Sequence, residues 1–279
     1  MLRFQLFRIK VYPSRQNLLF NRENYNDRPS ILRKTVEQLP SSELWRNAIW
    51  KIGNLQQIND ATLYFRLGRI SHRTEGSYQE GNFIDEDHLS APYTHVILNW
   101  QYEVCAIAPN SKLSRSPSSI AKNLNKLLNQ VDTNLSFEVF QIRDPKDFLK
   151  YIIQSHKVIK FKMWLSRPNL YDENSDYREP FQQWVEATNA DVGTAEIKTK
   201  EEQGLKKDIL EQMTKATAAA GNDAEATIIP NEGSSSVKKT LRDSSVTFSM
   251  DHIDDQMIET LIQAANNLIL KYHEVRNAQ

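Results

Sequence analysis

Apolar residues recur with two periods along this chain of 279 residues, and the period changes from segment to segment. Phe4 to Tyr12 alternates as a strand, with Phe4 and Leu6 on one side and Phe7, Ile9 and Val11 on the other. Arg8 and Lys10 share the first side and predict that its far end is exposed. Ala61 to Ile70 alternates again. Val96 to Leu98 and Val104 to Ile107 are short, nearly all-apolar runs around Asn99-Trp100-Gln101. They predict a central hairpin covered on both faces. Ser116-Pro117 then opens a helix, with serine at the cap and proline in the first turn. Ile120, Leu124, Leu127, Leu128 and Val131 make its buried face, and Lys122, Asn125, Lys126 and Asn129 make the opposite one.

The rest of the chain reads by the same rules. Ser30 to Leu39 is a short helix, and Ser42 to Trp45 could begin another. Ser71 to Ala91 is a polar, partly acidic stretch expected as a long mobile loop. Ser136 to Ile142 is a strand, and Asp144-Pro145 leads a helix through Phe148, Leu149, Ile152 and Ile153. Val158 to Leu165 alternates apolar residues with Lys160, Lys162 and Trp164; an edge strand guarded by lysine and a basic-aromatic nucleic-acid surface both fit. Pro180 to Ala190 is helical, Ala195 to Thr199 a strand, Leu205, Ile209 and Met213 define a helix that Gly221 ends, and Ala224 to Ile229 is a strand. Val237 to Arg242 and Val246 to Phe248 return as strand. A long helix from about His252 to Val275 closes the sequence, with an apolar face so broad that it is buried heavily, either in this chain or against a second copy. The fold class is α+β in two domains, residues 1–155 and 156–279. Each has a mostly antiparallel sheet with helices packed on one face, and the second carries the long C-terminal helix.

Charge sharpens this picture. The formal net charge is zero, which argues against a strongly basic nucleic-acid binder. The charge is unevenly spread, however. Arg3, Arg8, Lys10, Arg15, Arg22, Arg28, Arg33, Lys34, Arg46 and Lys51 crowd the first 51 residues against Glu23, Asp27, Glu37 and Glu43. From Glu75 to Asp87 every charged residue is an acid. Between Glu103 and Asp132 there is no acid, while Lys112, Arg115, Lys122 and Lys126 lie there with many serines and asparagines. Such a mix suits phosphate oxygens, although a solvated helix face after a flexible loop has the same composition. Further candidate cations are Lys160, Lys162, Lys206, Lys207, Lys238, Lys239 and Arg242.

Chemical motifs are scarce. Asp191 with Glu196-Ile197-Lys198 echoes the acid-then-Glu-x-Lys spacing of metal-dependent nucleases, with an unusually short first interval. The histidines have no metal-ligand spacing. His95 reads as a packed or hydrogen-bonded residue and Cys105, the only cysteine, as inert core. No glycine-rich phosphate loop is present. Hence no catalytic residue, metal or cofactor is assigned. No apolar run reaches the about 18 residues of a membrane span, and the lone cysteine points to the cytoplasm.

The order of elements in the second half resembles one family. A strand over Val158 to Leu165 is followed by "WVEATNADVGTAEIK", the basic helix "LKKDILEQMTKATAAAG" and "DAEATIIP". This layout is similar to that of the RexA-like phage-exclusion proteins of lambdoid prophages. The resemblance implies a two-domain homodimer that binds duplex DNA largely without sequence preference, in bacterial anti-phage defence, with a possible second defence protein as partner. The alternatives are a metal-dependent nuclease using Asp191, Glu196 and Lys198, and a partner-binding subunit of a defence complex.

Overall fold

The computed structural model describes residues 1–13, 27–41, 44–46, 48–79, 81–131, 135–166, 188, 192–200, 202–219, 222–241, 245–254 and 256–277. The α+β class holds: the described residues form thirteen strands in two sheets, with five α-helices. The strands are β1 (Leu2–Pro13), β2 (Leu44–Arg46), β3 (Ala48–Asn59), β4 (Thr62–Gln79), β5 (Asn82–Ser90), β6 (Tyr93–Asn99), β7 (Val104–Ile107), β8 (Leu135–Gln141), β9 (Lys157–Ser166), β10 (Val192–Lys198), β11 (Ala224–Ile229), β12 (Val237–Thr240) and β13 (Thr247–Met250). The helices are α1 (Arg28–Gln38), α2 (Pro117–Val131), α3 (Lys146–Gln154), α4 (Lys207–Ala219) and α5 (Ile258–Asn277). Among the described residues no helix is long and apolar enough to cross a membrane.

The chain divides into two units. The first comprises Met1–Val139 with Phe248–Ile269, and the second Phe140–Thr247 with Leu270–Gln279. The nine-stranded sheet runs β13-β1-β7-β6-β4-β3-β2, with β5 on β4 and β8 on β1. Its middle is the expected hairpin: Val96, Ile97, Leu98 and Val104 to Ile107 are all fully buried, as two apolar strand faces require. One face packs Phe65, Leu67, Val96, Leu98, Cys105 and Ile107 against Leu32 and Val36 of α1 and Ile120, Leu124, Leu127 and Leu128 of α2. On the other face Phe4, Leu6 and Tyr64 have no exposure, and Phe4 stacks on Phe248 with ring centroids 5.0 Å apart. Burial on both sides explains why Lys10 is only 4% exposed. The alternation in β1 is right, but the exposed far end expected for it is not what forms.

Three further expectations give way. Ser42 to Trp45 starts no helix in its described part, because Leu44–Arg46 pairs with β3. The stretch Ser71 to Ala91 is no loop. β4 runs on to Gln79 and pairs with β5 from Ser71↔Ser90 to Gln79↔Asn82. Pairing to a partner strand, rather than burial, holds this arm in β form, and periodicity of apolar residues does not report that. The closing helix starts at Ile258 rather than near His252, since Asp254 accepts the backbone N–H of Gln256 through its Oδ1 at 2.9 Å and turns the chain there.

The second unit's sheet is ordered β10-β9-β11-β12, antiparallel throughout. So β9 is an interior strand, and the edge-strand account of its lysines does not apply. Phe148 and Ile152 of α3 and Leu210 and Met213 of α4 cover one face, over Phe161, Met163, Ala224 and Ala226. Ile153 of α3 is half exposed. The helix expected over Pro180 to Ala190 lies outside the described residues apart from Thr188.

Candidate nucleic-acid interface

In the first unit the loop after β7 is built by Asn110. Its Oδ1 accepts the N–H of Lys112 at 3.0 Å, its Nδ2 donates to the carbonyl of Tyr93 at 2.6 Å, and its own carbonyl accepts from Leu113 and Ser114. Leu113 is buried and anchors the loop, which leaves Lys112 and Arg115 exposed on either side. Ser116 Oγ accepts the N–H of Ser119 at 3.2 Å and caps α2 as its sequence predicts. Burial of Leu124 and Leu128 turns Lys122 outward, exposed, with Lys126 half-buried one turn later. The acid-free run is therefore folded into the loop after β7 and the helix α2 that follows it. Among the described residues none of these four cationic side chains has an anionic partner.

A pocket of about 340 Å³ opens beside Lys112, bordered also by Tyr93, His95, Pro109 and Asn110. His95 is hydrogen-bonded, as its place in the strand suggested: its Nδ1 lies 2.8 Å from the Tyr64 hydroxyl. The Arg66 guanidinium lies 4.2 Å from the centre of the Tyr93 ring. Arg69 donates from Nη2 to the carbonyl of Lys112 at 3.3 Å, while its buried Nε has no partner among the described residues. Sequence reasoning missed Arg66 and Arg69. They sit in the run of β4 that periodicity assigned to a strand without regard to charge.

The second unit treats its cations differently. On the sheet face away from α3 and α4, Glu196 takes Lys198 at 2.8 Å and Lys160 at 2.9 Å, and Glu225 takes Lys238 at 2.6 Å. Hydrogen bonds from Lys198 and then Lys160 pull the Glu196 carboxyl from 4.5 down to about 2. Lys162 lies 4.8 Å from the Trp164 ring. Lys238 and Lys239 do not cluster. Strand alternation sends Lys239 to the opposite side, 4.0 Å from the Tyr151 ring of α3. Lys207 donates to the carbonyls of Ile153 and Ser155 at the end of α3, where the helix dipole favours a cation. Lys206 is exposed, and Arg242 lies outside the described residues.

For the nuclease reading, Asp191 lies outside the described residues, and both Glu196 oxygens are held by lysines. Among the described residues no group of three or more His, Cys, Asp or Glu side chains is placed to hold a metal ion. Cys105 is fully buried, and burial raises its thiol pKa, which leaves it unreactive. No protein-family model and no curated protein matches the sequence.

Proposed function

We propose that this protein binds duplex DNA through its phosphates, largely without sequence preference, and acts in bacterial anti-phage defence from the cytoplasm. The single observation behind the binding is the set Lys112, Arg115, Lys122 and Lys126, with no acid in the chain from Val104 to Val131 and, among the described residues, no anionic partner on any of the four. Cations left unneutralised beside hydroxyl and amide side chains are what a phosphate backbone requires. The paired lysines of the second unit offer less, since DNA would first have to displace Glu196 and Glu225. The defence role rests on the RexA-like order of elements in the second half. Assembly as a homodimer and work with a second defence protein belong to the same proposal.

A salt-dependent gel-shift titration on duplex DNA, with and without Mg²⁺, tests it. Lys122→Glu with Lys126→Glu should weaken binding at least tenfold and flatten the slope of log K against log salt by about one unit per lost contact. Equal affinity in the double variant would remove α2 from the interface. Cleavage that appears only with Mg²⁺ would favour the nuclease alternative, and no binding at any salt the partner-binding one. Cells expressing the same double variant should lose protection in a phage plating assay.

A further inference from the structure

The hairpin arm formed by the far half of β4 and by β5 is exposed on both faces, at Thr74, Glu75, Phe83, Asp85, His88 and Leu89. Among the described residues its strands pair with each other from Ser71↔Ser90 to Gln79↔Asn82, whereas β3 and β6 stop at Ile70 and Gly68 of β4. A two-stranded ribbon alone is marginal in water, yet this one displays Phe83 at 86% exposure, Tyr78 at 65% and Leu89 at 65%. Register sorts its side chains. Leu89, Asp87, Asp85 and the touching Tyr78–Phe83 pair, with ring centroids 5.0 Å apart, share one face with His72, Thr74 and Gly76. That face is apolar at both ends and acidic between, with no lysine or arginine. Arg73 and Glu75 lie on the other face.

We infer that this arm is a docking element whose occupant is the basic face of α2 in a second copy of the chain. The choice rests on charge and spacing. Asp85 and Asp87 are two strand positions apart, about 7 Å. Lys122 and Lys126 are one helical turn apart, about 6 Å. The arm carries Glu75, Glu80, Asp85, Glu86 and Asp87 with no lysine or arginine among them, and the segment from Val104 to Val131 carries Lys112, Arg115, Lys122 and Lys126 with no acid. Among the described residues no ion pair joins Asp85 or Asp87 to Lys122 or Lys126, and Asp85, Asp87, Phe83 and Lys122 are all exposed. Two copies related by a twofold axis join arm to helix twice, and burial of Phe83, Tyr78 and Leu89 accompanies the ion pairs. The inference deepens the homodimer part of the proposed function and stands without DNA binding. Where both hold, the arm competes with phosphates for Lys122 and Lys126.

Light scattering on the full chain, with circular dichroism to verify folding of each variant, tests it. At low salt the wild type should show twice the chain mass of 32.4 kDa. Asp85→Lys with Asp87→Lys should give the monomer mass, and so should Lys122→Glu with Lys126→Glu. Combining all four changes restores the pairs with their signs exchanged and should restore the dimer. A monomeric wild type overturns the inference, as does a dimer indifferent to the arm variant or a combined variant that stays monomeric. A monomer that instead binds a lysine-rich peptide through Asp85 and Asp87 assigns the arm to a different chain and overturns the second copy as occupant. Loss of DNA binding with the dimer intact would sink the proposed function alone.

Discussion

Glu196 shows how one carboxylate decides what a row of lysines is available to do. Its folded-state pKa is depressed to about 2, so the stabilisation is present above the ordinary carboxylate range and is lost as pH falls through about 2. An NMR titration of its side-chain carboxyl should therefore have its midpoint near 2, and the Tm difference between wild type and Glu196→Gln should narrow as pH falls below about 4. A midpoint at the ordinary 4.5 would mean that Lys198 and Lys160 are not bound and that this face is free for anions. Gly204 is decided by the backbone instead. Its φ is +76°, and a Cβ there would lie 2.9 Å from Lys157 Cβ and 3.0 Å from the Val158 carbonyl. Gly204→Ala combines left-handed strain with overlap and should cost about 1–3 kcal/mol; urea unfolding measures it, and an unchanged midpoint would contradict the close approach of this turn to β9.

Among the elements, α2 is the one whose two faces have separate tasks. Leu127 has no exposure and lies in the core beneath the sheet, so Leu127→Ala should cost about 2–5 kcal/mol through lost transfer energy and a cavity. Lys122→Glu should change stability by less than about 0.5 kcal/mol, as a surface substitution does. Denaturation of the two variants would separate folding from binding; comparable losses would show that the basic face is itself structural. The helix was legible from Ser116 to Val131 because its cap, its proline and its apolar spacing all lie within sixteen consecutive residues. The arm was illegible. Its apolar residues Tyr78, Phe83, Ile84 and Leu89 face water, so no alternation marks the strands, and Gly81, with φ +87°, looks the same in a loop as in a hairpin turn. β9 was read correctly as a strand, but its interior place came from β10 and β11, both far along the chain.

In the molecule as a whole, zero net charge provides no long-range attraction to a polyanion, so any DNA contact must come from local excess. In the first unit such an excess lies on the loop after β7 and on α2, whereas in the second Glu196 and Glu225 hold Lys160, Lys198 and Lys238. This division was beyond reach of composition, which counts Lys112 and Lys160 alike. The terminal helix tells the same story for assembly. Its two apolar stripes were visible as spacing, but Leu261, Ala264, Ala265 and Leu268 have no exposure within the single chain, while Ile262 is 42% exposed. Leu261 and Leu268 are thus core residues, and exposed apolar side chains remain both on this helix, at Ile258, Ile262 and Leu270, and on the arm.

Local rules, which act between residues close in sequence, were enough for the α+β class, the central hairpin, the cap and face of α2 and the inert setting of Cys105. Caps, turns and side-chain periods act over a few residues and are written there in full. Strand order, the pairing of Glu196 and Glu225 with lysines, the burial of Lys10 and the exposure of the arm required the folded chain. Each depends on which distant strand arrives alongside, and the free energy that selects that neighbour is shared by the whole sheet rather than carried by any one segment.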